Sequence, residues 1–125
     1  MALKTKEEYF ESIRKLNLPV YVMGEKVKNV DHPIIWPSIN SVGMTYEIAQ
    51  DPQYEDLATA KSHITGKKIN RFTHIHQSID DLVRKIKLLR LMGQKTASCF
   101  QRCAGLDGMN ALNAITFEMD AEMKT

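Results

Sequence analysis

Ser78-Ile79-Asp80-Asp81-Leu82-Val83-Arg84-Lys85-Ile86-Lys87-Leu88-Leu89-Arg90-Leu91-Met92-Gly93 reads as an amphipathic helix with both of its ends marked. Ser78 followed three residues later by Asp81 is a capping-box start, and Asp80 with Asp81 places two acids in the first turn, where the helix dipole favours them. Ile79, Leu82, Val83, Ile86, Leu89 and Met92 recur at helical spacing and predict a broad apolar face. Arg84, Lys85, Lys87 and Arg90 crowd the later turns, and Gly93 is the expected stop. That basic run reads either as a solvated helix end or as a binding surface for the phosphates of a nucleotide or coenzyme.

The segments before it give a first helix, an extended stretch and a second helix. Thr5 and Glu8 repeat the capping-box pattern ahead of Tyr9, Phe10, Ile13 and Leu16, and Asn17 with Pro19 ends that helix. The stretch from Val20 to Val30 has strand-like composition and predicts an extended segment or small hairpin. After Asp31-His32-Pro33, a helix is expected from Pro37 or Ser38 to Gln50, with Ile39, Val42, Tyr46 and Ala49 on one stripe; Trp36, between two prolines, is a packing anchor. A short helix is expected over Gln53–Ala60, and Ile64–Phe72 reads as a polar turn. Beyond Gly93 the pattern predicts a helix over about Lys95 to Ala104, an interruption near Gly105 and Gly108, and a last helix capped by Asp107 and running through Leu112, Ile115, Phe117 and Met119. The chain is therefore expected to be mainly all-α, a single helical domain over residues 1–125. Phe117, Met119 and Met123 keep that last helix apolar almost to Thr125 without a stop signal, which is the pattern of a chain that continues.

Composition narrows the function classes. With 125 residues, 43% hydrophobic and 26% charged, the chain suits one soluble domain. A net charge of +2 with interleaved signs argues against a nucleic-acid binder. The first residues lack the apolar core of a signal peptide and no 18-residue apolar run occurs, so a cytoplasmic, non-membrane protein is expected.

Chemistry concentrates in Thr96-Ala97-Ser98-Cys99-Phe100-Gln101-Arg102-Cys103-Ala104-Gly105, which holds both cysteines of the chain. At i,i+4 on one helix their Cβ atoms would stand about 5–6 Å apart. A disulfide wants roughly 3.5–4.5 Å, so a bridge is not expected. They read either as two small buried hydrophobes or as a pair of metal ligands. Zinc would need two more ligands, and His74 with His76, one residue apart, do not make the H-x₃₋₅-H half of a finger. Those two histidines read as surface or hydrogen-bonded structural residues. Gln101 and Arg102 lie between the cysteines and point about 100–200° off the Cys99 direction on a helix, as a solvated face or as donors to a cofactor or acyl group.

The run Gln94–Cys103 with Asp107 and Asn110, together with Val30-Asp31-His32-Pro33, Thr45-Tyr46-Glu47-Ile48-Ala49-Gln50-Asp51-Pro52 and Gly66-Lys67-Lys68-Ile69-Asn70-Arg71-Phe72, resembles the N-terminal part of the 4-hydroxybutyryl-CoA dehydratase/vinylacetyl-CoA Δ-isomerase family. This is the dehydratase branch of the 4-hydroxyphenylacetate 3-hydroxylase superfamily, and the likeness runs along essentially the whole chain. The resemblance implies the helical N-terminal domain of an acyl-CoA-dehydrogenase-like subunit, whose middle β domain and C-terminal helical bundle lie outside these residues, assembled as a homotetramer. It implies FAD and a [4Fe–4S] cluster, an acyl-CoA substrate, and a radical dehydration to crotonyl-CoA in which one-electron flavin chemistry acidifies an otherwise unactivated β-proton. Carried over by position, Cys99 and Cys103 match two cluster ligands, the others being a histidine and a third cysteine further along the polypeptide. On that reading the 125 residues alone are inactive. The alternatives are a domain of a flavin-dependent aromatic hydroxylase with the cysteines as core filler, and a non-catalytic helical interaction module.

Overall fold

The computed structural model describes residues 3–27, 31–97 and 102–123. Among the described residues, five α-helices and two small hairpins follow one another. Helix α1, Lys6–Leu16, starts as its sequence predicts: the Thr5 hydroxyl accepts from the Glu8 amide at 3.1 Å while the Glu8 carboxylate accepts from the Thr5 amide at 2.8 Å. Asn17 ends it in the left-handed conformation (φ 45°). Strands β1, Val20–Val22, and β2, Glu25–Val27, then pair antiparallel with Val20 opposite Val27, which makes the expected extended segment a hairpin. Its two-residue turn, Met23 and Gly24, has both φ angles positive, the geometry that matches strand twist.

Helix α2, Trp36–Glu47, packs onto α1 through an aromatic cluster: the Phe10 ring lies 4.8 Å from Trp36 and 5.6 Å from Tyr9. It ends at Glu47, short of the expected Gln50, and the turn that follows buries Ile48 and Ala49. Helix α3 is one turn, Glu55–Ala58, because residues from Thr59 onward join a strand. That strand, β3 (Thr59–Lys61), pairs with β4 (Lys68–Asn70), Thr59 opposite Asn70. The polar stretch expected as a plain turn thus supplies a strand and a 3₁₀ turn, Arg71–Thr73, whose side chains Arg71 and Phe72 are buried.

Helix α4, Ile79–Thr96, begins at Ser78 and Asp81 as expected but passes through Gly93. An interior glycine costs a helix only about 1 kcal/mol and does not stop it. The stop is Ala97, left-handed at φ 50°, whose amide donates to the Gly93 carbonyl. The expected helix over Lys95–Ala104 is therefore not continuous: α4 ends inside it, residues 98–101 lie outside the described residues, and residues 102–104 belong to the next helix. Helix α5 runs from Arg102 to Met123 without interruption at Gly105 or Gly108, because Leu106 between them is locked in the core at 1% exposure. Asp107 is not a cap; it sits inside α5 and pairs with Lys85 of α4.

The core is small and formed where α2, α3, the 3₁₀ turn, α4 and α5 meet: Ile48, Ala49, Ala58, Phe72, Leu88, Met92 and Leu106. Of the apolar face expected on α4, Met92 is buried and Leu89 half-buried, whereas Ile79, Leu82, Val83 and Ile86 are exposed. Leu88 and Met92 form the buried stripe instead, because the core touches only the later turns of α4. On α5, Leu112, Ile115, Phe117, Met119 and Met123 are likewise exposed. No described helix is long and apolar enough to cross a membrane.

Candidate functional site

The first turn of α5 carries Arg102 and Cys103, and Cys103 is a half-buried free thiol. Cys99 and Gln101 lie outside the described residues. Among the described residues no three histidines, cysteines or carboxylates gather as a metal site.

Arg102 precedes Cys103 in the same turn, and two rings and a hydroxyl hold its guanidinium. The guanidinium carbon lies 5.0 Å from the Tyr46 ring centroid and 5.1 Å from that of Phe72, and each such contact is worth about 0.5–2 kcal/mol. Nη1 also donates to the Thr45 hydroxyl at 2.5 Å. These partners are tied together: the Asn70 amide group donates to the Thr45 carbonyl at 2.9 Å, and the Asn70 side-chain oxygen accepts from the Phe72 amide at 3.1 Å. Tyr46 stacks on Tyr9 at 4.8 Å and 20°. Burial pushes the Tyr9 phenol above its ordinary pKa, and the neighbouring Tyr46 adds to the rise, while the Arg102 charge opposes it.

A second polar cluster surrounds Arg71, 4% exposed. Its Nε donates to Leu57 O at 2.7 Å and its Nη2 to Thr59 O at 2.6 Å, so one guanidinium satisfies the carbonyls left open where α3 ends. Desolvation lowers its pKa, with Arg84 adding to the fall and Asp81 opposing it. Asp81 faces it at 3.4 Å and lies 3.1 Å from His74 Nε2. Partial burial would raise the Asp81 pKa, but hydrogen bonds from the Gln77 amide, His74 and the Ser78 hydroxyl hold it at about 2. Together with Asp56, Lys61 and Arg84 these groups line an open cleft of about 630 Å³. In the basic run, Arg84 is paired with Asp56 and Asp80, and Lys85 with Asp107; both cations are engaged within the fold.

Asn110 joins the segment 74–76 to α5, accepting from the His76 amide at 2.7 Å and donating to His74 O at 3.2 Å and Leu106 O at 2.9 Å. His74 is buried as a structural histidine would be. The structure therefore brings together residues distant in sequence, Thr45, Tyr46, Asn70, Phe72 and Arg102, whereas Arg71 belongs to the second cluster and Asn110 to the 74–76 segment. Thr45, Tyr46 and Phe72 had no functional sign of their own; the signal was their place inside the quoted motifs.

Residues 5–125 match the family described as 4-hydroxyphenylacetate 3-hydroxylase N terminal. The chain is 61% identical, over 98% of its length, to a 4-hydroxybutyryl-CoA dehydratase/vinylacetyl-CoA-Δ-isomerase of Clostridium aminobutyricum, and it spans 25% of that protein's length. A Streptomyces globisporus monooxygenase acting on a carrier-protein-bound chloro-hydroxyphenyl amino acid is 33% identical over 64% of this chain and 15% of its own. Among solved structures, an oxygen-tolerant archaeal 4-hydroxybutyryl-CoA dehydratase from N. maritimus superposes with a TM-score of 0.89 at 50% identity, over 99% of this chain and 25% of that one. The FAD-complexed oxygenase component of a 4-hydroxyphenylacetate 3-monooxygenase gives 0.60 at 25% identity, over 73% of this chain and 19% of that one.

Proposed function

The chain belongs to the 4-hydroxyphenylacetate 3-hydroxylase N-terminal family, and on that premise we propose that it is the N-terminal helical part of an FAD- and [4Fe–4S]-dependent 4-hydroxybutyryl-CoA dehydratase with vinylacetyl-CoA Δ-isomerase activity. The observation that carries this reading is the likeness to dehydratases along nearly the entire chain, against a shorter and weaker likeness to the monooxygenases. In this reading the remaining three-quarters of the enzyme supplies the other cluster ligands and most of the flavin and acyl-CoA sites. The whole works in the cytoplasm as a homotetramer and yields crotonyl-CoA.

Cys99 and Cys103 are the proposed ligands from this part. Cys103 suits the group by the chemistry of its donor: a free, half-buried thiol, the ligand type that iron–sulfur clusters take. A cluster normally takes four protein ligands, so two from here and two from elsewhere make the set. When bound, the cluster supplies a Lewis acid for the substrate hydroxyl and the flavin supplies one-electron chemistry. What these residues contribute is placement: Arg102 braces its turn of α5 against α2 and the 3₁₀ turn, and Gln101 and Arg102 lie between the two proposed ligands in sequence.

The test compares reactions. The complete polypeptide, prepared without oxygen, is expected to convert 4-hydroxybutyryl-CoA to crotonyl-CoA, and the 125 residues alone are expected to be inactive. Hydroxylation of a phenol with reduced flavin and oxygen, without dehydration, would overturn the proposal in favour of the aromatic hydroxylase reading.

A further inference from the structure

Arg102 is the residue between a proposed ligand and the interior of the domain. Its guanidinium lies against the Tyr46 and Phe72 rings and donates to Thr45, which is 1% exposed. None of these three anchors is loose. Thr45 and Phe72 are joined through Asn70, and Tyr46 is backed by Tyr9. The anchors come from α2 and the 3₁₀ turn, so one side chain fixes the start of α5 to two other elements at once. A planar, forked cation lies along rings and aims an N–H at a hydroxyl together; a lysine ammonium, a point charge on a flexible stem, does not reproduce both.

We propose that Arg102 is a positioning residue for the metal centre: the Tyr46–Arg102–Phe72 contact, locked by Thr45, sets where the first turn of α5 lies and hence where Cys103 holds its sulfur. The proposal rests on the cluster reading above, and gives Arg102 a role directed inward, through the ligand's neighbour, rather than by contact with substrate. Partners one layer behind metal ligands change metal affinity by roughly 10–100-fold when removed, which sets the size of the effect sought.

The experiment uses the complete polypeptide with Arg102→Lys, Arg102→Gln and, leaving the arginine in place, Phe72→Leu. Iron release to a chelator, the electron paramagnetic resonance spectrum of the reduced protein and hydrogen exchange over residues 103–110 are measured beside the thermal midpoint. Both Arg102 variants are expected to lose iron about 10-fold faster or more, to shift the resonance spectrum and to exchange faster at the start of α5, with exchange in α4 unchanged. Phe72→Leu is expected to move all three in the same direction by less, which keeps the test open if an Arg102 variant does not fold. Iron retention, spectrum and exchange at wild-type values in both Arg102 variants would overturn the proposal, as would full rescue by lysine. If the unsubstituted protein holds no iron, the cluster reading fails instead, and the exchange comparison alone then decides whether Arg102 braces the turn.

Discussion

At Gly43 the contact between α1 and α2 leaves no room for a methyl group. A Cβ there would stand 2.8 Å from Phe10 Cε1 and 3.2 Å from Lys6 Cγ. Replacing glycine by alanine inside a helix normally gains up to about 1 kcal/mol. Overpacking against a ring already held by Trp36 and Tyr9 costs about 1–3 kcal/mol, and the second effect is the larger. Gly43→Ala is therefore expected to lower the free energy of unfolding, read as a drop in the urea midpoint of this chain; an unchanged or higher midpoint would show that the two helices slide apart freely. Residue-scale features were legible where they are local. The Thr5–Glu8 box and the Asn17 stop need only the neighbouring backbone, and both are found as the sequence indicates. Gly93 was misleading because a glycine permits a helix end without compelling one, and the left-handed position fell to Ala97, whose methyl side chain gives no sign of it.

At the scale of elements, α4 depends on the carboxylate that opens it. Asp81 accepts from the Gln77 amide at 3.0 Å and the Ser78 hydroxyl at 3.2 Å, besides facing His74 and Arg71. Its pKa falls from 3.8 to about 2 on folding. A group depressed in the folded state stabilises fully above its unfolded pKa and loses that contribution as pH drops through the folded one. The stability of the chain should thus decline between about pH 4 and about pH 2 through this residue. Asp81→Asn is expected to be less stable at neutral pH and to show a shallower acid limb, measured by denaturant unfolding at stepped pH; parallel acid limbs would show that Asp81 is not held by these donors. Periodicity foresaw α4 and its cap, but not which stripe would be buried. Amphipathicity marks a face fit for burial, whereas the choice of Leu88 and Met92 over Ile79 and Ile86 depends on how far the core extends along the helix. The β3–β4 hairpin escaped detection because three-residue strands with lysines at their ends carry no alternation to read.

Over the whole molecule, the same contrast separates what forms the fold from what forms the site. Mainly helical architecture follows from local signals. The braced start of α5 does not, since Thr45, Phe72 and Arg102 meet only through tertiary packing. The large exposed side chains of α4 and α5, Ile79 at 82% and Phe117 at 73% among them, accord with the proposal that further domains of a dehydratase cover these faces. In that account the small core here is one wall of a larger one, and the ligands that complete the set of Cys103 come from another.

The most direct measurement is the iron and acid-labile sulfide content of the complete polypeptide, purified without oxygen, beside its Cys103→Ala variant at matched thermal midpoint. Iron and sulfide near four of each per subunit, as a [4Fe–4S] cluster requires, falling to a small fraction in the variant, is the predicted result. A Cys103→Ala protein that keeps its full iron and sulfide, or an unsubstituted protein that carries neither, would contradict it.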